Sequence, residues 1–450
     1  MQGKEVTLLE ILEAREQRAQ HQQELLARFG TPLICFTMNI PGPVKRTPLI
    51  CRGFRAGCES LQKALEEHRI PILHQEAAEA HTGCTAYLCA DASPEQVKTV
   101  TTAIEDATPL GRLFDMDVLT PDGKKLDREV VNGKSRDCIV CGAPGRGCAS
   151  RRLHTVEQLQ NATESLLRGH FALADAEKIA ALSVDSLLEE VCTTPKPGLV
   201  DLRNNGSHRD MDADTFVRSA HALRDYFFRC VRLGQENAEN PPEALFPLLR
   251  QAGLQAEKAM YTATGGINTH KGAIYTMGLL CGAAGQLWNP EGGGFSAEAL
   301  CRGCAKLAQV SMAADFNTTQ RDTAGLRLYH QKGLTGIRGE AAAGLPSVLQ
   351  IALPVLQYAQ SCGHDRNDAG VLTLLHLIAK VEDTNLYHRG GEAGAAFAKE
   401  SAAALLMQSP FPAKKQIEEL DDAFIARNLS PGGCADLLAA TYFVEQLTHL

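Results

Sequence analysis

The period of the apolar residues changes once along this chain, and that change constrains the fold more than any other feature. Up to about Arg151, short runs suited to strands alternate with amphipathic stretches; beyond it the strand signals fade and Ala/Leu-rich segments of helical spacing follow one another, separated by Gly or Pro. A chain of 450 residues exceeds what one ordinary core serves. The pattern therefore predicts an α+β domain over 1–165 and a larger all-α domain over 166–450, meeting in the charged stretch 150–170, within a helix that both share. No repeat period runs through the second part, which argues against a solenoid.

In the first part, Thr7-Leu8-Leu9-Glu10 has the spacing of a capping box and opens an amphipathic stretch that ends at Gly30-Thr31-Pro32. Residues 32–40 read as a strand and 68–90 as one or two more, while Ser93-Pro94-Glu95-Gln96 starts a helix. Segments 113–119 and 125–131 flank Pro121-Asp122-Gly123 as a hairpin. In the second part the spacing predicts helices over 155–192, 213–233, 244–263, 270–288, 296–313, 345–361, 369–382, 392–408 and 434–448.

Composition narrows the function. The net charge of −8 lacks the basic footprint that a nucleic-acid partner needs. The longest apolar stretch, 277–288, is too short to span a bilayer and is broken by Gly282 and Gly285. The first residues lack the apolar run of a signal peptide. Fifteen cysteines are odd in number and scattered, unlike a secreted disulfide framework. A cytoplasmic protein follows, with most cysteines serving as small buried hydrophobes.

The polar exceptions to the Ala/Leu texture fall in a few connecting segments. In Thr194-Pro195-Lys196-Pro197-Gly198-Leu199-Val200-Asp201 two prolines restrict the backbone around Lys196, and His208-Arg209-Asp210-Met211-Asp212 follows. Asp210 and Asp212, with Asp201 near by, are hard oxygen ligands suited to Mg²⁺; the same carboxylates also suit the first turn of a helix starting near Asp214. Gly265-Gly266-Ile267-Asn268-Thr269-His270-Lys271-Gly272 precedes a helix, where glycines admit a phosphate to backbone N–H groups and Lys271 can neutralise it; it is not a P-loop. Glu382 and Asp383 follow an apolar helix that carries His376, at the wrong end of its dipole unless a cation or substrate offsets them. The glycine-rich segment from Gly333 to Glu340 supplies either a further wall of a site or a mobile surface loop.

In the first part, Asp115 and Asp117 of Gly111-Arg112-Leu113-Phe114-Asp115-Met116-Asp117-Val118 share one face of a strand, an arrangement that holds Mg²⁺ on a triphosphate or else a solvated edge. Cys138-Ile139-Val140-Cys141, with Cys148 and His154, has the ligand types of a small Cys₃His zinc knuckle. Against it, Cys301-Arg302-Gly303-Cys304 shows the same spacing inside a helix. Arg136, Arg146, Arg151 and Arg152 make the cysteine region basic, which suits a phosphate-rich substrate or an acidic protein.

Taken in order, the second-half motifs, ending with Glu382-Asp383-Thr384-Asn385 and Arg389-Gly390-Gly391, resemble triphosphoribosyl-dephospho-coenzyme-A synthase over roughly 170–450. Phe36-Thr37, Pro41-Gly42-Pro43-Val44-Lys45, the Gly111–Val118 segment and the cysteine group resemble holo-citrate lyase synthase over about 5–160. The first resemblance implies an all-helical enzyme that joins ATP to 3′-dephospho-coenzyme A and releases adenine. In that reaction a ribose hydroxyl attacks the anomeric carbon of ATP through an oxocarbenium-like state. The second resemblance implies a nucleotidyltransferase-type domain. It would move the phosphoribosyl-dephospho-coenzyme-A group to a serine of the citrate lyase acyl carrier subunit and release pyrophosphate. On this basis Asp210, Asp212 and Lys271 would hold Mg²⁺ and triphosphate, and His208, Glu340 or Asp383 would be the base or sugar-facing carboxylate. Lys196, Arg209, Gly265, Gly266, Asn268, His270 and Asn385 would bind substrate. In the first domain Asp115 and Asp117 would hold Mg²⁺, with Lys45 and Arg112 on phosphates. Asp212→Asn is expected to abolish adenine release. The rivals are an all-α, Mg²⁺-dependent hydrolase of N-glycosidic bonds and a non-catalytic assembly factor that only binds the carrier subunit.

Overall fold

The computed structural model describes residues 3–133, 136–315 and 334–450. Gly333 and the Arg146 side chain lie outside the described residues. The chain forms two compact units, one of residues 1–172 with 289–292 and the other of 173–288 with 293–450. The division falls inside one long helix, α5 (Val156–Cys192).

The first unit is α+β. Its antiparallel sheet has the order β2-β3-β1-β4-β5, with β1 at Leu33–Met38, β2 at Ile72–Ala80, β3 at Gly83–Ala90, β4 at Phe114–Leu119 and β5 at Lys125–Leu126. Helix α1 (Leu8–Phe29) starts at the expected capping box, where the Thr7 N–H donates to Glu10 at 2.8 Å, and ends at Gly30 in the left-handed region (φ 64°). Alternation along the strands separates two faces. Phe36, Phe114 and Met116 point to the core, where Phe36 stacks on Phe54 of α2 (Pro48–Glu67) at 5.1 Å between centroids. Leu33, Cys89 and Tyr87 point the other way and meet Leu25 and Leu26 of α1.

Helix α2 was not expected from the sequence, although Thr47-Pro48 opens it as Ser93-Pro94 opens α3 (Pro94–Ala107). The expected strand over 125–131 shrinks to Lys125–Leu126, and Arg128–Val131 is a 3₁₀ turn. Beyond this short β5 the edge of β4 needs other partners. Two buried α3 side chains supply them: Glu105 accepts the Met116 N–H at 2.8 Å and Lys98 donates to the Met116 carbonyl at 3.2 Å.

The second unit is helical. After α4 (Gly145–Arg151) and α5 come α6 (Ala213–Ala222), α7 (Arg224–Glu236), α8 (Pro242–Thr264), α9 (Lys271–Gln286) and α10 (Ala297–Asp315). Then follow α11 (Gly336–Ala342), α12 (Leu353–Ser361), α13 (Arg366–Lys380), α14 (Thr384–Gln408), α15 (Lys414–Ala426) and α16 (Gly432–Thr448). The apolar stretch expected over 270–288 is α9, buried nearly all round at the centre of the core. It lies close against α7 because both carry glycine at the crossing: a Cβ on Gly234 would meet the Gly282 carbonyl at 2.2 Å. The stretch 213–233 divides at Leu223 into α6 and α7, and α14 starts before residue 392 and kinks at Gly391 (φ 64°). Among the described residues no helix is long and apolar enough to cross a membrane. All fifteen cysteines are free thiols, most of them buried.

Candidate active sites

The connecting segments singled out in the helical unit converge on one cavity of about 1290 Å³. Lys196, His208, Asp210, Asn268, His270 and Lys271 line it. Glu340, Asp383 and Asn385 complete its wall, together with Glu190, Arg389 and Asp436.

Lys196 is buried, and its ammonium donates to the Glu190 carboxylate at 2.5 Å and to the Glu190 carbonyl at 2.6 Å. Burial pushes Glu190 up, against the opposing charge of Lys196. A buried pair of this kind is held in place because losing either partner strands a charge. Asp201 braces the same loop, accepting N–H bonds from Lys196 at 2.8 Å and Arg203 at 2.7 Å. His208 contacts Ser430 at 3.0 Å and Arg389 at 3.2 Å; burial and then the Arg389 charge hold it down at about 4, so its imidazole is neutral near pH 7. His270 is fully buried, with Nδ1 2.7 Å from the Ser219 hydroxyl, Nε2 unpartnered, and a pKa lowered by burial to about 3.

Asp383 corrects one expectation. It does not suffer the C-terminal end of α13, because it is the N-cap of α14 and accepts the Asn385 N–H at 2.8 Å. Its other oxygen accepts the Cys434 N–H at 2.8 Å in the first turn of α16, so two helix N-termini face one buried carboxylate. Burial still raises its pKa above the ordinary value, against those two donors. Glu382 beside it also lines the cavity, but its carboxylate is engaged by the Tyr387 hydroxyl at 2.6 Å and by Lys399.

Asp436 was missed by sequence reasoning, although its signal is present: a carboxylate in the first turns of α16, ahead of an apolar run that reaches Val444. It lies against the N-terminus of α9, where a Cβ on Gly272 would meet its Oδ2 at 1.9 Å. Burial, then the Glu190 and Asp383 charges, push it well above the usual carboxylate range. The Ala273 N–H opposes that rise.

Other expected residues stand aside from the cavity wall. Asp212 is exposed and serves as N-cap of α6, accepting the Thr215 N–H at 2.9 Å and its hydroxyl at 2.6 Å. Arg209 is exposed, and Gly265 and Gly266 (φ 71° and 94°) turn the chain out of α8. Of the expected residues that do line the cavity, Lys271 pairs with Glu257 at 3.0 Å and Glu340 accepts the Ser347 N–H at 2.6 Å.

In the first unit Asp115 and Asp117 share the face of β4 on which α1 packs farther along the sheet, opposite Thr37 and Cys35 of β1; Asp115 is exposed and Asp117 half-buried. Lys125 of β5 pairs with Asp117 at 2.6 Å, the basic neighbour that two carboxylates on one face call for. Partial desolvation, then Asp117, raise Asp115. The Lys45 ammonium donates to the Ile40 carbonyl at 2.5 Å, and desolvation followed by Arg15 lowers its pKa. Arg112 lines a separate, open hollow of about 630 Å³ with Asn132, Gly133 and Asp137, and donates to the Asp137 carbonyl. Neither aspartate lines that hollow, so the structure does not bring Arg112 together with them there.

Cys138, Cys141, Cys148 and His154 come together: their ligand atoms all lie within 4.8 Å of one another. Among the described residues this is the one cluster of three or more such side chains at that spacing. The C-x₂-C pair Cys301 and Cys304 is instead buried in α10.

The α+β unit with its carboxylate-bearing sheet face and the helical unit with carboxylates around one cavity give the chain two separate candidate sites, and its relatives are transferases. Residues 6–170 match the family described as apo-citrate lyase phosphoribosyl-dephospho-CoA transferase, and residues 176–450 match ATP:dephospho-CoA triphosphoribosyl transferase. The chain is 35% identical to Protein CitXG of Haemophilus influenzae, covering 98% of this chain and 96% of that protein. It is 30% identical to Protein CitXG of Leuconostoc mesenteroides subsp. cremoris, covering 99% and 98%. The 2-(5''-triphosphoribosyl)-3'-dephosphocoenzyme-A synthase of Pectobacterium atrosepticum is 44% identical over 62% of this chain and 90% of its own length. The chain belongs to both transferase families and is a bifunctional enzyme of citrate lyase prosthetic-group biosynthesis.

Proposed function

We propose that the helical unit, functionally 166–450, joins ATP to 3′-dephospho-coenzyme A with loss of adenine. The α+β unit, functionally 1–165 and of nucleotidyltransferase type, then moves the phosphoribosyl-dephospho-coenzyme-A group to a serine of the citrate lyase acyl carrier subunit, releasing diphosphate. The protein would do this in the cytoplasm, a reading supported by its fifteen free thiols.

One observation carries the helical half of this reading. Three connecting segments far apart in sequence meet on one cavity that contains buried, pKa-raised carboxylates beside basic groups. An oxocarbenium-like state needs a fixed negative group near the sugar. Asp383, held by two backbone donors, suits that task. The attacking hydroxyl must lose a proton, and Asp436, made more basic by desolvation and then by the Glu190 and Asp383 charges, suits that task. His208 is a neutral acceptor elsewhere in the wall, and Arg389 and Lys271 are among the lining cations that a triphosphate could meet.

Magnesium fits the donor set of both units, since it is usually held by one or two carboxylates and the substrate's phosphates. Asp210 in the cavity, and Asp115 with Asp117 on the sheet face, would hold it, and it would neutralise phosphate charge there. Among the described residues no three carboxylates cluster within 4.8 Å, which suits an ion that arrives with its nucleotide.

The test is to incubate the full chain with ATP, 3′-dephospho-coenzyme A and Mg²⁺ and to follow adenine by chromatography. Adenine should appear only with both substrates present, together with a joined product. Free ribose triphosphate with either substrate set would instead establish the hydrolase.

A further inference from the structure

The loop from Arg136 to His154 carries its own organisation. Asp137 pairs with Pro144 as an isolated antiparallel bridge, the Cys138 N–H donates to the Ala143 carbonyl at 2.7 Å, and the Gly142 N–H returns to the Cys138 carbonyl at 2.9 Å. Gly142 takes the left-handed conformation (φ 70°) that closes this turn. The Val140 N–H points at the Cys138 sulfur at 3.5 Å, as backbone donors do around a thiolate ligand. Helix α4 then presents Cys148, and the next turn presents His154, whose Nε2 is buried and has no hydrogen-bond partner among the described residues.

We propose that Cys138, Cys141, Cys148 and His154 bind one structural zinc ion, which clasps the 136–154 loop onto the α+β unit. Three thiols and an imidazole within 4.8 Å make a complete tetrahedral donor set. Zinc–sulfur bonds of about 2.3 Å in a tetrahedron place sulfurs roughly 3.8 Å apart. The Cys141 and Cys148 sulfurs are 3.4 Å apart, near that spacing and far from the bond of about 2.05 Å in a disulfide. A disulfide would also leave a third thiol and the buried Nε2 unused. The clustering is not explained by packing as small hydrophobes, because Cys141 is exposed and Cys138 half-buried.

The clasp has a consequence for the sheet. Arg136, held by the Gly145 N–H to its carbonyl at 3.0 Å, donates to the Phe114 carbonyl at 2.6 Å at the head of β4 and pairs with Glu105. The neighbouring Asp137 carbonyl accepts from Arg112. Zinc therefore fixes two arginines beside the strand that carries Asp115 and Asp117, making the four ligands positioning residues for that unit.

The full chain, expressed with zinc and purified under reduction, should contain one zinc per chain by mass spectrometry of the digested protein. Cobalt exchanged into it should show the visible bands of tetrahedral Co²⁺ with thiolate charge transfer. Cys148→Ser should lose that metal and its spectrum. Because a misfolded variant would lose metal too, adenine release by the helical unit is the control and should remain within about twofold, while transfer to the carrier falls. Substoichiometric metal in the wild type, with all three thiols reacting at the unfolded rate, would overturn the assignment. So would metal retained in Cys148→Ser. The metal measurements are independent of either transferase reading, so failure of the clasp and failure of that reading are told apart.

Discussion

The two units hold their carboxylates in different surroundings. In the helical unit Asp383 is buried and Asp436 half-buried, both at helix N-termini, where desolvation raises their pKa and backbone N–H groups restrain the rise. In the α+β unit Asp115 is exposed and Asp117 half-buried on a sheet face that α1 covers in part, with Lys125 as the counter-charge. An enclosed wall suits a reaction between two small molecules from which water must be kept, because electrostatic groups act more strongly there. A more open face suits an acceptor as large as a protein. The same residue type thus does different work according to how much solvent the fold leaves around it.

The largest effect is expected from removing the half-buried acceptor of the helical unit. Asp436→Asn is expected to lower adenine release about 10³-fold, with little effect on carrier modification from preformed triphosphoribosyl-dephospho-coenzyme A. An unchanged rate of adenine release would remove Asp436 from the chemistry. Next in size, Asp115→Asn combined with Asp117→Asn should slow carrier modification about 10²-fold while adenine release proceeds normally. Equal loss in both assays would mean that the two sites are not separate.

A smaller effect sharpens the contrast through pH. His208 and His270 have folded pKa values near 4 and 3, below the ordinary 6.5, so between those values the unfolded chain binds protons that the folded one does not. The helical unit should therefore lose stability as pH falls from about 6.5 and be insensitive above it, on these two groups. Its urea midpoint should be lower near pH 5 than near pH 7.5, and His270→Gln should flatten the dependence. The smallest effect is expected for Asp212→Asn. As an N-cap, Asn serves about as well as Asp, whereas Asp212→Ala should cost about 1 kcal/mol. Adenine release by Asp212→Asn within about threefold of wild type would confirm the capping role, and its abolition would restore Asp212 as a ligand.

Much of the fold was legible because local signals agreed with it. The capping box at Thr7, the helix start at Ser93, the strands within 32–40 and 113–119, and most of the helical segments after Arg151 form as expected. What escaped was decided by tertiary contacts. β5 stops after two residues because Glu105 and Lys98 take over the Met116 peptide groups, which no pattern along 125–131 announces. The split at Leu223 interrupts no helical spacing. The convergence of the second-half segments was foreshadowed by their polar density, yet spacing could not tell Asp383, held by two backbone N–H groups, from Glu382, held by Lys399 and Tyr387, although both line the cavity. Asp212 and Asp210 likewise differ in the structure through the capping of α6, not through residue type.

The central claim is that one chain holds two separable transferase sites acting in sequence, and complementation tests it most directly. The Asp436→Asn protein and the Asp115→Asn, Asp117→Asn protein would be assayed separately and mixed, with ATP, 3′-dephospho-coenzyme A, Mg²⁺ and the apo acyl carrier subunit, following carrier mass. Each variant alone should leave the carrier unmodified, and the mixture should restore modification. A mixture that stays inactive, although each variant retains its other activity, would contradict a freely exchanged intermediate; modification by either variant alone would contradict the assignment of its site.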